Sequence, residues 1–248
     1  MLRFDDKVAL ITGAGSGIGK AMAEAFAGEG ARVAVVDQVE KSARVVAASI
    51  GESAVAIRCD VSSKTDVAAA VQATVEAFGA LDILINNAGI THVNTPMLDI
   101  DEGEFDRVLA VNVKGVFLFC KAVVPVFRRA GAGVIINIGS TAALRPRPGL
   151  SAYNATKGAV HSLTRSLAVE LAGDRIRVCA IAPVATETPL LPAFLGHSNE
   201  MKEKFIATVP LGRLAQPQDI AQAALFLASD AAQFLTGNIV EVDGGRCI

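Results

Sequence analysis

Short runs of consecutive apolar residues alternate along this chain with Ala-rich stretches whose apolar positions recur at helical spacing, and the alternation persists from end to end. A strand apolar at every position is buried on both faces. Interleaved with amphipathic helices, such strands denote a parallel sheet covered on both sides. Strands are expected at 7–11, 32–36, 54–58, 81–86, 133–138, 175–181 and 238–242. Helices are expected at 18–27, stopped by Gly28 and Gly30, at about 40–48, and from the Ser62-Ser63 cap to Phe78. Further helices are expected at 102–130, where Pro125 is a candidate kink, at 151–171 and at 217–228. From 183 to 210 the periodicity fails, and the stretch at about 184–210 reads as a loop or lid.

Composition narrows this picture. Of 248 residues, 52% are hydrophobic and 19% charged, with no Pro/Gly/Ser-rich or like-charged run to mark a linker. One domain over 1–248 is therefore expected. A net charge of −2 with interspersed signs leaves no basic stripe for nucleic acid or for a membrane surface. The start, Met1 to Lys7, lacks the apolar core of a signal peptide, and no uncharged apolar stretch reaches membrane-spanning length. Cys59, Cys120, Cys179 and Cys247 are widely separated and suit reduced thiols in a cytoplasmic protein rather than a zinc site. His92, His161 and His197 are dispersed, which supports neither a metal centre nor a Ser–His–Asp triad.

Two stretches carry chemistry. Between the first strand and first helix lies Thr12-Gly13-Ala14-Gly15-Ser16-Gly17-Ile18-Gly19. Glycines there permit a tight turn and bring backbone N–H groups and a positive helix end to a pyrophosphate. Asp37, at the end of the second strand, can accept hydrogen bonds from both adenosine ribose hydroxyls and would repel a 2′-phosphate. Ser16 stands where a basic residue would bind that phosphate, so NAD is expected rather than NADP. The second stretch holds Tyr153, the sole tyrosine, four residues before Lys157. On a helix these share one face, about 6 Å apart, close enough for an ammonium to act on a phenol.

With these features in order, the chain resembles the short-chain dehydrogenase/reductase family over essentially its full length. The resemblance rests on the glycine turn, Cys59-Asp60-Val61, Asn86-Asn87-Ala88-Gly89, Asn112, Ser140, Tyr153-x-x-x-Lys157, the 183–188 segment and Val242-Asp243-Gly244-Gly245. It implies a Rossmann-type sheet of seven parallel strands with helices on both faces and NAD(P) across the strands' carboxyl ends. The catalytic set it implies is Asn112, Ser140, Tyr153 and Lys157. Tyr153 would exchange the proton of a secondary alcohol or its ketone, Ser140 would hold the reacting oxygen, and Lys157 would lower the phenol pKa and bind the nicotinamide ribose. Asn112 would order a water linking Lys157 to solvent. Gly13, Ser16, Gly17, Ile18, Gly19, Asp37, Tyr153 and Lys157 would meet the cofactor, joined by Asp60 and Val61 beside the adenine. Asn87, Ala88 and Gly89, with Asn86 before them, would line the cleft beyond the fourth strand, and Pro183, Val184, Thr186 and Thr188 would line it further on, Thr188 at the carboxamide.

The chain departs from the family after the sixth strand, where Val184 replaces a usual glycine and cannot easily take positive φ. Near the expected pocket, Arg145 and Arg147 alternate with Pro146 and Pro148 and could meet a carboxylate or phosphate, while 190–195 could close as an apolar lid. The resemblance further implies a homotetramer built on the 102–130 and Tyr153 helices and on the last helix and strand. Two other functions are open: a 3-ketoacyl thioester reductase using NADPH, with Arg128 and Arg129 docking an acidic carrier protein, and a non-catalytic NAD-binding sensor.

Overall fold

A computed structural model describes residues 3–195 and 198–248; the expectations touching Met1, Leu2 and His197 lie outside the described residues. The strands are β1 Val8–Thr12, β2 Arg32–Asp37, β3 Ala54–Arg58, β4 Ile83–Asn86, β5 Gly133–Ile138, β6 Ile176–Pro183 and β7 Ile239–Val242. They form one parallel sheet in the order β3-β2-β1-β4-β5-β6-β7. The helices are α1 Gly17–Gly28, α2 Glu40–Ile50, α3 Lys64–Phe78, α4 Glu102–Leu109, α5 Gly115–Ala130, α6 Ser151–Leu171, α7 Leu191–Leu195, α8 Asn199–Ile206 and α9 Pro217–Ala228.

The apolar runs are continuous because each strand feeds two cores. In β1, Ala9 and Ile11 join Val33, Val35 and Ile85 under α1, α2 and α9. Val8 and Leu10 join Ala34, Val36 and Leu84 on the opposite face, under α3, α5 and α6. Burying each such Val, Leu or Ile side chain is worth about 1.5–3 kcal/mol, so a charged residue at any β1 position would cost the sheet its centre. The chain leaves β1 for one half of the sheet and returns to β4 for the other. A crevice opens where those directions part, at the carboxyl ends of β1 and β4.

Two stretches differ from the sequence expectation. The 102–130 helix is interrupted by a π-helical turn at Ala110–Lys114, whereas α5 runs through Pro125. The turn places Asn112 inward and fully buried, so the break serves a buried amide, not a proline. The 102–130 run is long and apolar enough to cross a membrane by length and composition alone; here Phe119, Val123 and Phe127 bury its apolar face against the sheet. The expected 184–210 loop contains α7 and α8, capped at Ser198, and Lys202 pairs with Glu187 at 2.8 Å. Elsewhere local signals act as expected: Ser63 caps α3 by accepting from the Asp66 N–H.

Candidate active site

The crevice is a cleft of about 450 Å³ running from Asp37 past the β1–α1 turn to Tyr153 and onward beneath α7 and α8. Its floor is fixed by Thr12, which the sequence marks only as the start of the glycine turn. Thr12 ends β1 with its hydroxyl accepting from the Asn87 and Ala88 N–H groups, both at 3.0 Å. The Asn87 side chain answers by donating to the Thr12 and Gly13 carbonyls at 2.8 and 3.1 Å. Strand β1 and the loop after β4 are thereby stitched together. A buried threonine ending an otherwise apolar strand was the available signal.

The β1–α1 turn is shaped for close approach. Gly13 has φ of 63°, a left-handed conformation that disfavours side chains. At Gly19 a Cβ would lie 2.2 Å from the Gly13 carbonyl oxygen, so only glycine lets α1 begin against the turn. Gly13, Ser16, Gly17 and Ile18 line the cleft, while Gly19 is buried behind it. The Asp37 carboxylate accepts from the Gly15 N–H and from the Val39 N–H, each at 2.9 Å. It is thus held at the cleft mouth with lone pairs still free for further donors. Asp60 and Val61 line the same end, and Asn87, Ala88 and Gly89 line the middle.

Pro183, Val184, Thr186 and Thr188 line the far side. Val184 does not adopt positive φ. Its N–H donates to Val242, its side chain is buried in the core, and the Thr186 hydroxyl donates to its carbonyl. The departure from glycine is accommodated because the backbone here needs no positive φ.

Ser140 follows β5, and Tyr153 and Lys157 project from the first turns of α6 into the same cleft. The Lys157 Nζ donates to the Ile138 carbonyl at 2.8 Å and lies 5.6 Å from the Tyr153 ring centroid. Burial pushes the phenol up to about 12, with a hydrogen bond to Ser140 opposing it, and burial draws the Lys157 ammonium down to about 8. Desolvation outweighs the Ser140 hydrogen bond. The phenol is held protonated at neutral pH, beside a cation close enough to respond to any charge added to the cleft. The α7 helix sets Phe194 edge-on against Tyr153, with centroids 5.0 Å apart, so the apolar 190–195 segment covers the phenol.

Besides Gly19, two expected positions fall outside the cleft lining. Asn86 does not line the cleft: its amide lies inside the sheet, donating to the Asn137 Oδ1 at 2.9 Å, and Asn137 donates to Thr164 of α6 at 2.9 Å. A strand-end asparagine paired in register with another strand's asparagine satisfies itself before any ligand. Asn112 stands behind the wall: its Oδ1 accepts from the Ile90 N–H, and its Nδ2 donates to the Ile90 carbonyl and the Thr156 hydroxyl. A Cβ on the neighbouring Gly89 would fall 3.4 Å from that Oδ1 and 3.5 Å from the Lys157 Nζ, so the Asn112 amide, Gly89 and Lys157 are adjacent.

Known proteins are similar to this chain over its length and fold. A family model described as enoyl-(acyl carrier protein) reductase matches residues 13–246. The chain is 41% identical over 252 residues to a 4-formylbenzenesulfonate dehydrogenase of Comamonas testosteroni, covering 100% of both. It is 42% identical over 244 residues to a 2-(R)-hydroxypropyl-CoM dehydrogenase of Xanthobacter autotrophicus, covering 96% of this chain and 97% of that one. Among solved structures, a Brucella melitensis 3-ketoacyl-(acyl-carrier-protein) reductase complexed with NADH superposes with a TM-score of 0.95 at 49% identity, covering 99% of this chain and 100% of the other.

Proposed function

The chain belongs to the short-chain dehydrogenase/reductase family of oxidoreductases, which binds a nicotinamide dinucleotide, and from that premise we propose that it moves hydride between NAD and a secondary alcohol or its ketone. The observation that carries this reading is the meeting of Ser140, Tyr153 and Lys157 in the cleft that begins at the glycine turn and Asp37. The turn whose Cβ space is already filled, and the carboxylate at its mouth, fit a dinucleotide with unphosphorylated ribose. Bound NAD⁺ supplies the hydride acceptor.

The rest is the chain's own work. Ser140 donates a hydrogen bond to the substrate oxygen, a contact worth about 2–4 kcal/mol when aimed at developing charge. Tyr153 takes the hydroxyl proton in oxidation and returns it to the carbonyl in reduction. Its phenol is too weak an acid alone, so Lys157 and the positive charge brought to the cleft must lower it. Asn112 acts at one remove, fixing Ile90 and with it the wall beside Lys157. The whole chain serves as one domain, with α7 and α8 as the lid.

Mixing the protein with NAD⁺ and secondary alcohols should raise NADH absorbance, while failure with every alcohol, hydroxy acid, polyol and sugar would sink the reading. Asp37 favours NAD over NADP. A second reading, reduction of a 3-ketoacyl thioester, is favoured by the solved relative of that name, itself complexed with NADH. Turnover of a 3-ketoacyl thioester well above simple ketones would select it. Assembly as a homotetramer is supported by Phe105, Phe117 and Val169, exposed on α4, α5 and α6, and by exposed Phe234 and Ile248 at the other end of the sheet; light scattering giving a monomer would remove it.

A further inference from the structure

Beyond Tyr153 the cleft ends in a wall of positive charge. Arg145, Arg147 and Arg246 all line it, together with Phe194 and Phe205. The guanidinium groups of Arg147 and Arg246 lie against the Phe205 ring, 5.0 and 4.9 Å from its centroid. Arg145 donates to the Arg246 carbonyl. Among the described residues no carboxylate pairs with any of the three within 4.0 Å. Arg246 also carries a buried Nη1 without a hydrogen-bond partner. Like charges gathered in a partly desolvated place oppose folding unless something compensates them.

The wall is built rather than incidental. Arg145 and Arg147 alternate with Pro146 and Pro148, which fix the backbone dihedrals. The Arg147 carbonyl accepts from Asn154, the neighbour of Tyr153, at 2.9 Å, and the Pro148 carbonyl accepts from Asn94 at 2.9 Å. On the other side Asp243 accepts from the Gly245 and Cys247 N–H groups at 2.8 and 2.7 Å, and this turns the chain so that Arg246 faces the cleft. The Asp243 carboxylate, which acts on Arg246 without an ion pair, is engaged by those backbone donors. Burial and the neighbouring arginines both press the Arg147 and Arg246 ionisations down from the ordinary guanidinium value.

We propose that Arg145, Arg147 and Arg246 form an anion-binding wall of the substrate pocket, so that the alcohol or ketone acted on carries a carboxylate or sulfonate away from its reacting carbon. This deepens the oxidoreductase reading and rests on it for the word substrate. The guanidinium forks match a planar or tetrahedral oxyanion, and the Phe194 and Phe205 rings line an apolar path between that group and Tyr153.

The test is calorimetric titration, in the presence of NADH, of benzenesulfonate and of its uncharged analogue methyl phenyl sulfone. The full chain should bind the anion at least about tenfold more tightly, the contribution of one charge-assisted hydrogen bond. Arg147→Met and Arg246→Met, whose methylenes still cover Phe205, should shrink that ratio severalfold. Arg145→Met, at an exposed position, should shrink it too and serves if either of the others fails to fold. Equal binding of the two probes, no binding of either, or an unchanged ratio in the folded variants would overturn the proposal. Turnover of uncharged alcohols with NAD⁺, read separately, reports on the oxidoreductase reading, so the two can fail independently.

Discussion

Replacing Asn112 by alanine tests how a residue outside the cleft governs it. The amide is 1% exposed and makes three hydrogen bonds: from the Ile90 N–H at 2.8 Å, to the Ile90 carbonyl at 2.8 Å and to the Thr156 hydroxyl at 3.1 Å. Thr156 keeps its own donation to the Tyr153 carbonyl at 2.7 Å, so it loses little. Ile90 loses both main-chain partners. Each such group left unpaired costs about 1–3 kcal/mol, the lower half of that range applying because Ile90 is only partly buried. Alanine recovers about 0.7 kcal/mol at most through better helix propensity. The net loss is about 1.5–3.5 kcal/mol, a fall in melting temperature of roughly 3–14 °C for a chain of this size. Thermal unfolding followed by circular dichroism reads the stability. The KM for NAD should rise alongside, since Gly89 and Ile90 line the cleft. A melting temperature within about 1 °C of the parent would refute the reasoning.

Three further outcomes are expected. Asp37→Ser removes the carboxylate that a 2′-phosphate would meet, so the ratio of kcat/KM with NADP to that with NAD should rise about tenfold or more; an unchanged ratio would show that Asp37 does not read the ribose. For pH, the folded Lys157 releases its proton near 8 against an ordinary 10.5, so between these values the unfolded chain binds more protons and stability rises with pH. Tyr153, raised from 10 to about 12, contributes stability that is full below pH 10 and is lost between 10 and 12. The stability difference between the parent and Lys157→Met should therefore grow from pH 8 to 10, and a flat difference would contradict a buried ammonium. Finally, Phe194→Ala opens the space edge-on to Tyr153, and should raise KM for bulky uncharged alcohols while leaving the KM for NAD within about twofold; equal changes in both would place Phe194 outside the substrate pocket.

Much of this architecture was legible in the sequence because it depends on period and punctuation. Strands buried on both faces must be apolar throughout, so all seven stand out, each strand boundary falling within two residues of its expected position. The glycine turn, Asp37 and the Tyr153–Lys157 pair were legible for a similar reason, since each follows a strand end or opens a helix. What escaped depends on contacts distant in the chain. The π-helical turn at Ala110–Lys114 exists to aim Asn112 at Ile90, and no local propensity encodes it. Asn86 looked like a cleft residue because it ends β4, yet its partner Asn137 lies across the sheet. Arg246 could not be joined to Arg145 and Arg147 from spacing, because Asp243 must first turn the chain back toward the cleft. The 184–210 stretch hid its two short helices behind prolines and broken periodicity.

The central claim is that Tyr153 carries the proton while the rest of the cleft holds cofactor and substrate. Tyr153→Phe removes one hydroxyl and keeps the ring that packs against Phe194. With NAD⁺ and an alcohol turned over by the parent chain, kcat should fall by about 10²–10⁴, with the Kd for NADH nearly unchanged and the parent's rise in oxidation rate with pH abolished. Retention of kcat within a fewfold, or a pH profile identical to the parent's, would contradict the account.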